Sequence, residues 1–211
     1  WTGCTLNGLP CLNNQLDPPF YWDGNTGNPC LTLPDWPANQ RCKALRASKY
    51  HLVALNLSRD SIDIPNMLAW SNSAIAGAVP DSWTPEPGND AGDNILAEEL
   101  GGIVDGAALR DKRFIFRQHS TAVMTYVAGN FVFGFHELFN TSGIQAINCA
   151  QEVRGKLYVL TDDDLIVTDG NQFVSIADNV IRSRVFSAIK PENHHLCHVV
   201  VRTDKDEVWF V

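Results

Sequence analysis

Ile147-Asn148-Cys149-Ala150-Gln151-Glu152-Val153-Arg154-Gly155-Lys156-Leu157-Tyr158-Val159-Leu160-Thr161-Asp162-Asp163-Asp164-Leu165-Ile166-Val167-Thr168-Asp169-Gly170 reads as three short strands separated by turns. An apolar strand carrying Cys149 and Val153 meets a turn at Arg154-Gly155-Lys156, and Leu157 to Leu160 forms a second strand. Asp162-Asp163-Asp164 makes the next turn, and Leu165-Ile166-Val167 runs to the break at Asp169-Gly170. Short apolar runs rich in β-branched and aromatic residues, bounded by Gly and Asp, are the signature of strands joined by tight turns.

The same grammar recurs on both sides. Upstream, Leu109 precedes a turn at Arg110 to Arg113, followed by Phe114-Ile115-Phe116, a polar turn at Gln118-His119-Ser120 and Val123 to Tyr126. Downstream, Val199-Val200-Val201 precedes a turn at Thr203 to Asp206 and then Val208-Trp209-Phe210. Phe114 and Leu157 are 43 residues apart, and Leu157 and Val199 are 42 apart. Looser copies involve Leu52 to Leu55 with Pro65 to Trp70, and Gly8 to Leu12 with Pro18 to Gly24. A period of about 40 residues marks stacked or radial β architectures. The fold expected is all-β, a β-propeller of four-stranded blades that bury their faces against one another and leave short edges.

Residues 1–40 are rich in Pro and Gly and are read as an incomplete blade or a docking arm, with blades over 41–211. The 64 residues between Tyr50 and Phe114 exceed one repeat, so an exposed loop insertion is expected at about 79–102. Within it, Asp93 to Glu99 is one of few windows with helical character. The chain opens on Trp1 and stops inside the apolar run Glu207 to Val211, so it is expected to be part of a longer polypeptide. No apolar run reaches the roughly 18 residues that span a bilayer.

The charge of −8 argues against a surface that grips phosphate backbones, yet lets DNA slide past without sticking. Cys4, Cys11, Cys30, Cys42, Cys149 and Cys197 form no C-x-x-C pair, and reduced thiols are expected. Three consecutive Asp at 162–164 lack the alternate ligand spacing and the Gly of a calcium loop, and are read as a β-turn. On a strand, His194 and His198 would diverge from His195 and Cys197, so these are read as surface histidines beside a buried thiol. Asp17, Asp60 and Asp105 are the dispersed carboxylates available to a glycosidase, and each also fits a turn. Trp22, Trp70 and Trp209 fall on repeat strands and are expected between blades; Trp36 and Trp83 lie in Pro-rich segments and are expected exposed. The sequons Asn56-Leu57-Ser58 and Asn140-Thr141-Ser142 matter only in a secreted protein. Nucleophile elbows, P-loops, zincin and dinucleotide motifs are missing from the sequence, and no catalytic, cofactor-binding or metal-ligating residue is assigned.

Three stretches carry a family resemblance. They are Cys42 to Leu45 through Leu52 to Asn56 and Pro65 to Ser71; Asp105 to Arg110; and Phe139 to Ile144 with the strand that follows. Over roughly residues 9–211 the chain resembles the propeller portion of the tail nozzle family of short-tailed bacteriophages, also called tail hub or tail tubular protein B. The resemblance implies a non-enzymatic virion component assembled in the bacterial cytoplasm. It implies six copies in a ring below portal and adaptor proteins, a channel that conducts the viral DNA without specific binding, and an outer face that supports fibres or spikes. It implies no cofactor and no insertion into a membrane. The competing expectation is a secreted carbohydrate-binding or glycoside-hydrolase-like propeller, motivated by the early cysteines, the sequons and the tryptophans. An intracellular WD40-like scaffold ranks last, because the Gly-His and Trp-Asp signatures are missing.

Overall fold

The computed structural model describes residues 1–96, 101–127, 129, 131–139 and 143–211. They form two compact units, Trp1–Ile103 with the described residues of Ala128–Val132, and the combined stretches Val104–Val127 and Phe133–Val211.

The first unit begins with β1 (Thr2–Leu6), β2 (Leu9–Asn13), β3 (Phe20–Tyr21) and β4 (Leu31–Thr32), which make one four-stranded antiparallel sheet in chain order. Asn7 and Gly8, at φ 52° and 86°, form the two-residue turn that joins β1 to β2. Asn-Gly adopts this left-handed pair with little strain, and its twist matches that of the flanking strands. A longer sheet follows from β5 (Gln40–Ser48), β6 (His51–Arg59), β7 (Ile62–Trp70) and β8 (Gly92–Ile95), again in chain order. Asp60 and Ser61, at φ 50° and 66°, turn β6 into β7. Asn56, at φ 55°, is a bulge that shifts the β6–β7 register between Leu55 and Leu57.

The two sheets face each other through β1 and β2 against β5. Leu6 and Cys11 from the first sheet join Cys42, Leu45, Leu52, Ala54, Leu57, Met67 and Ala69 from the second in one core. Burying each of these leucines contributes about 1.5–3 kcal/mol. Asn13 seals the seam, since its side-chain amide donates to the Cys42 carbonyl at 3.0 Å.

The region expected to be an exposed insertion, 79–102, is not wholly a loop. It returns to the sheet as β8, with Gly92 opposite Trp70, and it sends Trp83 into the core. Gly92 is required there, because a Cβ would lie 2.5 Å from the Trp70 indole. The helical window fails for the same reason: Asp93 to Ile95 extend along β7, and residues 97–99 lie outside those described.

The second unit holds β9 (Ile103–Leu109), which starts at the boundary, with β10 (Lys112–Arg117), β11 (Thr121–Tyr126) and β12 (Phe133–Phe139) as a third sheet. The fourth sheet is β13 (Ala150–Val153), β14 (Lys156–Leu160), β15 (Leu165–Thr168) and β16 (Phe173–Ser175). A helix α1 (Asn179–Ala188) and a 3-10 helix (Pro191–Leu196) follow, then the hairpin β17 (Val199–Arg202) and β18 (Glu207–Phe210). Asp178 caps α1 by accepting from the Val180 and Ile181 amides. Leu109, Phe114, Phe116 and Val123 share a core with Leu157, Val159 and Ile166, and with Cys197 and Val199.

The 42-residue step is corrected by this arrangement. Leu157 lies on the second strand of its sheet, whereas Val199 lies on the first strand of the last hairpin. The true partner of Leu157 in that order is on β18, and the two helices supply the extra residues.

His51 gives the first unit a pH response. Its Nδ1 sits 2.9 Å from the Ser71 carbonyl, and burial holds its pKa below the ordinary 6.5. The unfolded chain therefore binds a proton that the folded one resists. Stability of this unit is expected to be full above about pH 6.5 and to fall as the pH drops below it. Urea midpoints measured from pH 7.5 to 5 check this, and His51→Gln should flatten the slope.

Candidate functional site

A cavity of about 380 Å³ opens in the first unit where three loops meet the end of β8. The approach to β5 supplies Pro37, Ala38, Asn39 and Gln40; the β6–β7 hairpin supplies Arg59 and Asp60. Trp83, Thr84 and Pro85 form another wall, and Asp93 on β8 completes the lining.

These positions follow from local bonding. The Asp60 amide donates to the Asn39 carbonyl at 3.1 Å, and the Asn39 side-chain amide returns a bond to Asp60 Oδ1 at 2.9 Å. Arg59 Nε donates to Gln40 Oε1 at 2.7 Å, and Arg59 Nη2 to Asp93 Oδ2 at 2.9 Å. Trp36 Nε1 donates to the Gln40 carbonyl at 2.8 Å. Beside the cavity, the Ser82 hydroxyl donates to Asp35 Oδ2 at 2.8 Å and holds that carboxyl below the usual range. A second recess of about 410 Å³ shares Asn39 and Asp60 with the first and adds Arg41, Ser58 and Ser61.

The lining offers two carboxylates against one guanidinium, so its field favours neutral or cationic polar groups over anions. Its apolar walls are Pro37, Ala38, Pro85 and the Trp83 ring. Such a mixture offers hydrogen-bonding groups beside apolar contact surface. Among the described residues no group of three or more His, Cys, Asp or Glu is placed to hold a metal ion.

The tryptophan expectation is reversed for Trp36, Trp83 and Trp209. Trp36 and Trp83 are buried, Trp83 to 3% exposure, with ring centroids 4.7 Å apart in an edge-to-face pair. Trp209 is 46% exposed and lies under the Arg202 guanidinium at 5.1 Å. Pro-rich chain around Trp36 and Trp83 folds back onto the sheet, and edge-to-face stacking fixes it there. Trp70 is buried as expected, donating Nε1 to the Asp90 carbonyl at 2.7 Å, and Trp22 donates to Asn25 at 3.1 Å. Trp36→Phe deletes a formed hydrogen bond, whereas Trp83 Nε1 has no partner among the described residues. Trp36→Phe is therefore expected to cost about 1 kcal/mol more than Trp83→Phe in urea unfolding.

Of the three sequence carboxylates, only Asp60 reaches the cavity. Asp17 accepts from Asn14 at 2.6 Å in an exposed turn. Asp105 is no turn residue: it is buried on β9, accepting from the Gly106 amide at 2.7 Å and the Asn148 amide at 2.8 Å. Asp162 to Asp164 do form a turn, tied by Thr161 Oγ1, which accepts from the Asp164 amide at 2.8 Å. His194 and His195 lie on the 3-10 helix, not on a strand, because Pro191 starts a tight turn there. Cys197 behind them is buried, and all six thiols are free. Asn56 of the first sequon donates its side-chain amide to the Ile103 carbonyl at 2.6 Å, while Asn140 to Ser142 lie outside the described residues. Sequence reasoning missed Asn39, Arg59, Thr84 and Asp93. Only the fold joins these separated positions, and the turn at Asp60-Ser61 was the sole local signal.

No family model and no curated protein matches this chain. No described helix is long and apolar enough to cross a membrane.

Proposed function

We propose that this chain is a structural module, a run of β-propeller blades from the tail nozzle or hub of a short-tailed bacteriophage. The observation that carries the reading is the packing of sheets that follow one another in the chain. In the first unit, Leu6 and Cys11 of one four-stranded antiparallel sheet share a core with Leu45 and Leu52 of the next. In the second, Phe114 and Phe116 share one with Leu157 and Val159, and these with Val199. Blades arranged round an axis hide their faces in this way. A net charge of −8 favours a wall along which DNA passes without adhering. In this reading the chain performs no reaction. It works in a homo-oligomeric ring, taken as six copies, that joins portal or adaptor proteins to fibres or spikes in the virion. Negative-stain electron microscopy of the full-length protein is expected to show rings with a central channel. Dispersed monomers alone would overturn the assignment.

The cavity lined by Asp60, Asp93 and Trp83 favours a second reading, a secreted carbohydrate-binding or hydrolytic propeller. That reading predicts a glycan on a sequon asparagine and oligosaccharide binding that Asp93→Ala abolishes. Glycan mass spectrometry and calorimetric titration with an oligosaccharide panel separate the two.

A further inference from the structure

Cys4 and Cys11 face each other across the first hairpin. They are directly opposed in the β1–β2 register, between the Thr5–Pro10 and Gly3–Leu12 pairs. Opposed residues of an antiparallel pair place their side chains on the same face, with Cβ atoms about 4.5–5.5 Å apart. The Cα separation of such pairs, about 4.5–5.5 Å, lies within the span that a disulfide bridges, and a local tightening of the hairpin brings the Cβ atoms to the roughly 3.5–4.5 Å that the S–S bond needs. Both thiols belong to the core beneath β5, where Cys11 is fully buried and Cys4 only partly. The Cys4 thiol in hydrogen-bond contact and burial both push the Cys11 thiol far up, so Cys11 stays protonated while its partner is reduced. Cys42, buried on β5, is the third thiol of this neighbourhood, whereas Cys30 is exposed on a separate loop.

We propose that Cys4 and Cys11 are a redox-modification site at which a peroxide closes a cross-strand disulfide that staples β1 to β2. The more accessible Cys4 sulfur, as thiolate, attacks one peroxide oxygen, and the O–O bond breaks. Cys4 becomes a sulfenic acid, and the other oxygen leaves as hydroxide. Cys11 sulfur then attacks the Cys4 sulfur and displaces its oxygen as a second hydroxide, so that the S–S bond forms. The two hydroxides take up the two thiol protons and leave as water. Two thiols lose two electrons in all, and one hydrogen peroxide is reduced to two waters. The partner is already in place, so closure needs no strand to leave its register. Cys42 belongs to another strand of another sheet and has no such opposed position.

The test oxidises the full chain with hydrogen peroxide, blocks remaining thiols with iodoacetamide in urea, and maps the peptides by mass spectrometry. The expected result is a linked peptide pair carrying Cys4 and Cys11, with Cys42 alkylated, and a rise in thermal midpoint that dithiothreitol reverses. In Cys11→Ser, Cys4 should instead be captured as a sulfenic acid by dimedone. A Cys4–Cys42 link overturns the proposal, as does a Cys30-linked dimer alone or alkylation of Cys11 after Cys4 has reacted. Should Cys11→Ser fail to fold, the wild-type peptide map decides by itself. The outcome is independent of the viral reading.

Discussion

Phe114→Ala is expected to destabilise the second unit by about 3–5 kcal/mol. Phe114 is fully buried on β10, opposite Val123 of β11. Its ring lies 6.4 Å from that of Phe116, and its tip reaches the Gly170 turn of the fourth sheet, 3.6 Å from where a Cβ would stand there. The ring therefore fills the space between two sheets whose backbones are fixed by their own ladders. Neither sheet can move inward without breaking interstrand hydrogen bonds, so the void left by alanine stays open, and open voids carry the largest penalties. Phe114→Leu keeps most of the volume and should cost about 1 kcal/mol. Hydrogen exchange read by mass spectrometry on β10 and β14 peptides is the direct check. A loss of 3 kcal/mol accelerates exchange by about a hundredfold. Acceleration confined to β10 would mean that the ring does not join the two sheets.

The second large effect concerns a buried charge. Arg117 at the end of β10 is fully buried, and its Nη2 donates to the carboxylate of Glu137 on β12, whose side chain is 37% exposed. Glu137→Ala removes this carboxylate from beside a fully buried guanidinium and so breaks a charge-assisted bond in a low-dielectric site. The cost is expected to be about 3 kcal/mol, the low end for a broken buried pair, because the carboxylate side is partly solvated. A second change separates charge from packing. Arg117→Met added to Glu137→Ala removes the charge while keeping an unbranched apolar stem of similar length, and should restore most of the stability. Denaturant midpoints of the wild type, both single variants and the double variant form the required cycle. If Glu137→Ala and the double variant lose equally, volume at Arg117 matters more than charge.

Much of the β architecture was legible because it depends on neighbours in sequence. The turn at Arg154-Gly155 has φ values of 52° and 77°, and Gly155 between two apolar runs announces it. Strands β10, β14 and β17 contain apolar runs with β-branched or aromatic residues, and they lie where those runs and their flanking turns put them. What escaped the reading depends on distant contacts. Nothing around Trp83 says that it will stack on Trp36, 47 positions earlier in the chain. Likewise, Arg59 acquires Asp93 only because β8 returns to β7. Strands β4, β8 and β16 are short or polar, so tertiary pairing defines them more than propensity does. Asn179 to Leu196 passed unrecognised as helical because its polar and β-branched residues carry a weak helical period.

Every ladder in the described sheets joins strands that are consecutive in the chain. A growing polypeptide can therefore complete each sheet before the next has been synthesised. Loop-closure costs stay small, because few contacts within a sheet wait for distant segments. Emergence from the ribosome should thus proceed as a series of short, separately protected stages, with β1 to β4 ordered while the C-terminal hairpin is still untranslated.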